Sequence, residues 1–146
     1  MKVVCDTGPL MSAANRKDRA HALAAALVTR LGRDLLVPVP VVVEVDQLLR
    51  ARVGPGAARQ FLAALAGGEH SVAFLTPGLL RRAAEIDAHY ADLDLGFTDA
   101  AVMAYAERGN LPVLTFDFED FCAAPPPGGY WRLIVDEARY EESRRR

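Results

Sequence analysis

Apolar and polar positions along the chain alternate between two periods. Val3-Val4-Cys5 is a continuous apolar run of strand length, the pattern of a strand buried on both faces. Asp6 and the turn residues Gly8-Pro9 follow it, then a short helical turn from about Leu10 to Ala14. From Arg19 to Leu31 the period becomes helical, with Ala22, Leu23, Ala26, Leu27 and Leu31 on one side and Gly32 as the stop. Leu35-Leu36-Val37 is again strand-like. Pro40 opens a helix to about Val53, and Pro55 opens another that ends at Gly67-Gly68, both prolines sitting where the first helical turn tolerates them. Ser71–Leu75 reads as a strand. Thr76-Pro77 is a capped helix start, and that helix runs to about Ala91. Thr98 is expected to cap a helix from Asp99 to Glu107. Pro112–Thr115 and Trp131–Val135 read as strands on either side of a helical turn at Asp117–Phe121.

Strands thus alternate with helices throughout, which predicts an α/β fold with a mainly parallel sheet covered on both faces. No repeat or linker divides the 146 residues, so a single domain is expected, with a charged tail from about residue 136 that is exposed or partner-bound. Pro125-Pro126-Pro127-Gly128-Gly129 reads as a stiff loop.

Ligands of such sheets bind beyond the carboxyl ends of the strands. Asp6 follows the first strand directly, and Asp117 follows Val113-Leu114 within three residues. Glu44 lies one turn into the helix after the second strand, and Asp99 begins a helix whose positive end favours an anion. These four carboxylates are expected at one rim. Close together they repel, unless protons or a cation neutralise them. Hard oxygen donors without Cys or His point to Mg²⁺, or to Mn²⁺. The chemistry that follows is metal-assisted phosphodiester hydrolysis. Each acid taken singly has a plainer reading as a turn, cap or surface residue, and their joint placement carries the argument. Asp46 is expected on another helix face. Asp120 is expected to cap or reach solvent. Asp94, Thr7, Thr98 and Thr115 are expected to support the four acids, and His21, His70 and His89 share no spacing.

Charge and cysteine content narrow the class further. The net charge of −2 is not that of a protein binding nucleic acid through a basic excess, so cations would have to supply charge at the phosphate. Arginine dominates the basic set, since Lys2 and Lys17 are the two lysines. Arg16, Lys17 and Arg19 are candidate RNA contacts. Cys5 and Cys122 make no disulfide framework and are read as reduced, which with the absence of a signal peptide or an apolar span predicts a cytoplasmic protein.

With these residues in view, the chain resembles the PIN-domain family, and within it the VapC ribonuclease toxins of type II toxin–antitoxin systems. The matching blocks are Val4–Leu10, Pro40–Leu49 around Glu44, Asp94–Val102 and Leu114–Phe121. The resemblance implies an α/β/α sandwich with four to five strands and Mg²⁺- or Mn²⁺-dependent endoribonuclease activity. It implies that Asp6, Glu44, Asp99 and Asp117 are the catalytic, metal-binding acids, with Thr115 the small polar residue near the last. It also implies a homodimer, an RNA substrate and a VapB-like antitoxin partner, which apolar residues of the Val41–Leu65 helices would help to bind. Two other readings remain. One is a PIN-like module that binds RNA or protein without catalysis. The other is a phosphohydrolase with Asp6 as nucleophile, which would want an aspartate where Gly8 stands and a lysine late in the chain, where none occurs.

Overall fold

The computed structural model describes residues 1–146. Four short strands form one parallel sheet: β1 (Val3–Cys5), β2 (Leu35–Pro38), β3 (Ser71–Ala73) and β4 (Val113–Leu114), in the order β3-β2-β1-β4. The register sets Val3 opposite Leu35, Val4 opposite Val113 and Leu36 opposite Ser71. Eight helices flank the sheet: α1 (Thr7–Ala14), α2 (His21–Leu31), α3 (Val39–Arg52), α4 (Pro55–Ala66), α5 (Pro77–His89), α6 (Phe97–Gly109), α7 (Phe118–Ala123) and α8 (Glu137–Arg145). None is long and apolar enough to cross a membrane.

The strands are apolar throughout because both faces are covered: Val3, Val4, Cys5, Leu35, Val37, Val113 and Leu114 are all buried. From α3, the positions Val41, Val45 and Leu49 recur at a spacing of four and enter the core. Leu65 of α4 joins them. Ala100 to Ala104 of α6 are buried on every side, which makes that helix the central one.

Chain order runs outward from β1 through β2 to β3, then returns to place β4 on the other side of β1. The carboxyl ends of β1 and β4 therefore flank the point where the strand order reverses, the usual place for a ligand in such sheets. The Asp6 N–H donates to the carbonyl of Leu114 at 2.9 Å and fixes the two ends side by side.

Several boundaries depart from the sequence expectation, each for a local reason. The expected last strand, Trp131–Val135, is reduced to one bridge between Val113 and Leu133. Its partner β4 is only two residues long, because the chain leaves the sheet at Thr115. β3 stops at Ala73 rather than Leu75, since β2 ends at Pro38 directly opposite. Thr98 does not cap α6; the helix starts two residues earlier than expected, at Phe97, after Gly96 (φ 85°), whose N–H donates to the Asp87 carboxylate at 3.2 Å. Thr76 does cap α5, accepting from the Leu79 N–H at 3.2 Å. The charged tail is a helix, not a loose end. Asp136 caps α8 by accepting from the Arg139 N–H at 2.8 Å, and Tyr140 seats its ring 4.4 Å from Phe116 and 5.5 Å from Phe118.

Candidate functional site

A cleft of about 510 Å³ opens beyond the carboxyl ends of β1 and β4. Asp6, Glu44, Asp99 and Asp117 all line it, together with Thr7 and Tyr140. The sequence expectation that these four acids meet is thus met in space, although each arrives on a different element.

Asp6 is the most constrained. It is 4% exposed and caps α1 by accepting from the Thr7 N–H at 2.8 Å through Oδ1. Its Oδ2 accepts from the Thr115 hydroxyl at 2.8 Å. Burial pushes its pKa up to about 6; the two hydrogen bonds pull it down, and Asp117 and Glu44 add repulsion. Thr115 is buried too, and its hydroxyl oxygen also accepts from the Asp117 N–H at 3.0 Å. One hydroxyl group therefore ties together the acid that follows β1 and the acid that follows β4.

Asp117 caps α7, its Oδ1 accepting from the Asp120 N–H at 3.1 Å. That bond folds the turn back and brings Asp120 in. One carboxylate oxygen each from Asp99, Asp117 and Asp120 lies within 4.8 Å of the others. Asp99 stands in the first turn of α6. Desolvation pushes its pKa up to about 8, reinforced by the charges of Asp6, Asp117, Asp120 and Glu44. Desolvation raises Asp120 as well, with Asp117 the strongest repelling charge. Glu44 reaches the cleft from α3, on the flank beside the buried Val41 and Val45.

Asp120 is the acid that sequence reasoning placed elsewhere, as a cap or surface residue. Arg52, at the end of α3, is the one basic side chain lining the cleft, and it was also missed. Its only sequence signal is its place two helical turns beyond Glu44. Asp94 does not join the group: it is exposed, in a left-handed conformation (φ 49°) that ends the turn at Ala91–Leu93. Thr98 opens onto a neighbouring hollow with Val43 and Phe97. Asp46 pairs with Arg50 at 3.1 Å on another face of α3, as expected. His21 and His70 bond the carbonyls of Ser12 and Gly32 and stay outside the cleft.

The donor set fits a hard divalent cation. Every candidate ligand is a carboxylate, and the nearest thiol, Cys5, is buried in the core with its pKa pushed well up. Burial first, and then mutual repulsion among the carboxylates, raises the values at Asp6, Asp99 and Asp120, so their ionised forms gain from a bound cation. The Thr7 hydroxyl is buried beside Asp6 and has no hydrogen-bond partner within the chain. A second hollow, of about 540 Å³ between α5, α6 and the Pro125–Pro127 loop, holds the paired Arg82 and Glu107 and gathers no carboxylate cluster.

Comparison with known proteins places this geometry in a family. The description "PIN domain" matches residues 3–125. Ribonuclease VapC26 of Mycobacterium tuberculosis is 32% identical over 128 residues, which cover 87% of this chain and 95% of that protein. The crystal structure of M. tuberculosis VapC20, described as a toxin that cleaves the sarcin-ricin loop, superposes with a TM-score of 0.76 at 24% identity, covering 84% of this chain and 95% of that one. A toxin–antitoxin complex from Klebsiella pneumoniae gives a TM-score of 0.63 at 17% identity, covering 85% and 93%.

Proposed function

The chain belongs to the PIN domain family, and from that premise we propose that it is a metal-dependent endoribonuclease, the toxin of a toxin–antitoxin pair. The observation that carries this reading is the convergence of Asp6, Glu44, Asp99 and Asp117 on one cleft, with Asp120 beside them. The similarity to a ribonuclease over 87% of the chain supports the reaction class.

In this reading Asp6, Asp99 and Asp117 hold the cation, with Glu44 and Asp120 completing the set. Bound there, Mg²⁺ or Mn²⁺ supplies Lewis-acid polarisation of the scissile phosphate and lowers the pKa of the attacking water. The chain's own contribution is preorganisation. Thr115 and the Thr7 N–H fix both oxygens of Asp6, and Thr115 also holds the backbone of Asp117, so two ligands cannot drift apart. Asp6 and Asp99 release their protons as the cation binds, so loading tightens as pH rises. Thr7 has a free hydroxyl to orient a water or a phosphate oxygen. Arg52 is placed to meet the negative charge of the phosphate backbone.

An antitoxin partner follows from the same reading. Exposed Val43, Phe74 and Phe97 line a hollow that also includes Glu44, and this apolar surface suits a protein segment that covers the cleft. The nucleophilic-aspartate reading lacks its partners, since Gly8 stands where a second aspartate is wanted and no lysine follows Lys17.

The test is cleavage of a mixed RNA pool by purified protein with Mg²⁺, with Mn²⁺ and with EDTA, beside the Asp6→Asn variant. Discrete cuts that need the metal and vanish in the folded variant are expected. Cuts that persist in EDTA and in the variant would remove these residues from the reaction.

A further inference from the structure

The five acids Asp6, Glu44, Asp99, Asp117 and Asp120, with Asp18 at the margin, surround a cleft meant for a polyanion. A bound cation offsets charge at the scissile phosphate only. The flanking phosphates of an RNA strand need their own partners, and Arg52 is the one basic residue in the cleft. A group of arginines lies next door. Arg19, Arg144, Arg145 and Arg146 line a second concavity of about 540 Å³ together with Glu141.

The two concavities adjoin through consecutive residues. Asp18 lines the acidic cleft and Arg19 the basic hollow. Tyr140 lines the cleft, and Glu141 and Arg144 the hollow, with the Arg144 guanidinium 5.5 Å from the centre of the Tyr140 ring. Both sides are held in place. Asp18 accepts from the Ala20 N–H at 2.8 Å, which fixes the turn bearing Arg19. Tyr140 packs on Phe116 and Phe118, the residues on either side of Asp117, which fixes α8 to the site itself.

Internal pairing leaves this charge largely free. Arg144 makes one long, exposed contact with Glu141 (3.4 Å), and Arg146 pairs with Glu142 at 2.9 Å. Arg19 and Arg145 form no ion pair within the chain. Basic residues in a last helical turn complement the helix dipole, but Arg19 comes from a different element and gains nothing from it. The helix α8 also lies beyond residues 3–125 that the family description covers.

We propose that Arg19, Arg144 and Arg145 form an RNA-backbone clamp that takes phosphates flanking the scissile bond as the strand leaves the acidic cleft past Tyr140. The clamp deepens the ribonuclease reading and rests on it. Its ligand is the phosphodiester chain, so it adds affinity and orientation without base specificity.

The test compares the wild type with an Arg19→Gln/Arg144→Gln/Arg145→Gln variant and with the matching Arg→Lys variant, each checked for an unchanged melting profile. Binding of a fluorescein-labelled single-stranded RNA of mixed sequence is read by anisotropy across a salt series, in the Asp99→Asn background so that the probe survives. Removing three guanidiniums is expected to weaken binding about tenfold at moderate salt. It should also flatten the slope of log affinity against log salt by about 2, roughly 0.7 for each phosphate that is no longer neutralised. The lysine variant should keep most of the slope. In the active protein the loss should appear in KM rather than in kcat. A glutamine variant with unchanged affinity and slope, while the wild type binds and cuts RNA, overturns the clamp alone and leaves an acidic protein segment as the better ligand for this patch. A folded wild type that neither binds nor cuts RNA overturns the ribonuclease reading, and the clamp with it.

Discussion

Asp99→Asn should stabilise the metal-free protein while abolishing its activity. The carboxyl of Asp99 titrates at about 8 in the fold against 3.8 ordinarily, because burial and then the charges of Asp6, Asp117, Asp120 and Glu44 disfavour its ionised form. The folded chain therefore keeps a proton that the unfolded chain releases. Stability is fully retained below pH 3.8, declines as pH rises, and the loss is complete above about pH 8. That difference sets a ceiling of about 6 kcal/mol. Asp99 keeps part of its contact with solvent, and screening reduces the cost to about 2 to 3 kcal/mol. An asparagine of the same shape carries no charge and escapes this cost. In urea titrations with EDTA near about pH 8, the variant should exceed the wild type by about 2 to 3 kcal/mol, or by about 6 to 10 °C in Tm. Near about pH 4 the gap should close, because the wild-type carboxyl is then protonated. Added Mg²⁺ should raise the wild type and leave the variant nearly unmoved. A variant that is no more stable than wild type at the higher pH would refute the reasoning, since it would mean that neither burial nor repulsion penalises the ionised Asp99.

Three further outcomes follow from the same geometry. Thr115→Val leaves the Asp6 carboxylate and the Asp117 N–H without their shared partner, so it should cost about 1 to 3 kcal/mol and push the Asp6 pKa above its present value of about 6. Carboxylate titration by NMR would detect this, and an unmoved Asp6 would refute it. Asp120→Asn should weaken Mg²⁺ binding about tenfold by calorimetry; unchanged affinity would remove Asp120 from the site. Tyr140→Ala removes two aromatic contacts worth about 1 to 3 kcal/mol together. Hydrogen exchange in α8 should accelerate, and unchanged protection would show that the helix is held by something else.

How much of this was legible in the sequence depended on the kind of signal. Prolines and glycines marked the helices α3, α4 and α5 closely, because their backbone restrictions act locally. The acids Asp6 and Asp117 could be placed because a parallel sheet brings its strand ends to one rim, whatever the loops do. Asp120 could not, because its position depends on one hydrogen bond from its own N–H to Asp117, and a short capped turn reads the same whether the side chain turns inward or outward. Asp94 stays outside the cleft for the converse reason: it lies close to Asp99 in sequence, but its own left-handed backbone, followed by that of Gly96, redirects the chain between them. The helix α8 carries almost no apolar stripe. Tyr140 is its one large apolar anchor, and a single aromatic in a charged segment is too weak a pattern to predict docking.

That weak anchor has a consequence for how the site is built. Thr115 and Tyr140 act on the same few residues. Thr115 holds the backbone of Asp117, and Tyr140 packs on Phe116 and Phe118 on either side of it. Without a cation, repulsion among the ionised carboxylates would push this segment away from the others. Docking of α8 opposes that push, so the helix and the cation both favour the same closed arrangement. Binding of one should therefore strengthen the other, because a ligand and a contact that select the same state are thermodynamically linked. Mg²⁺ should slow hydrogen exchange in α8, although no residue of that helix is a proposed ligand, and Tyr140→Ala should weaken Mg²⁺ binding without removing any carboxylate. If exchange in α8 were indifferent to Mg²⁺, the helix would be a passive cover, and the coupling argued from Phe116, Phe118 and Tyr140 would fail.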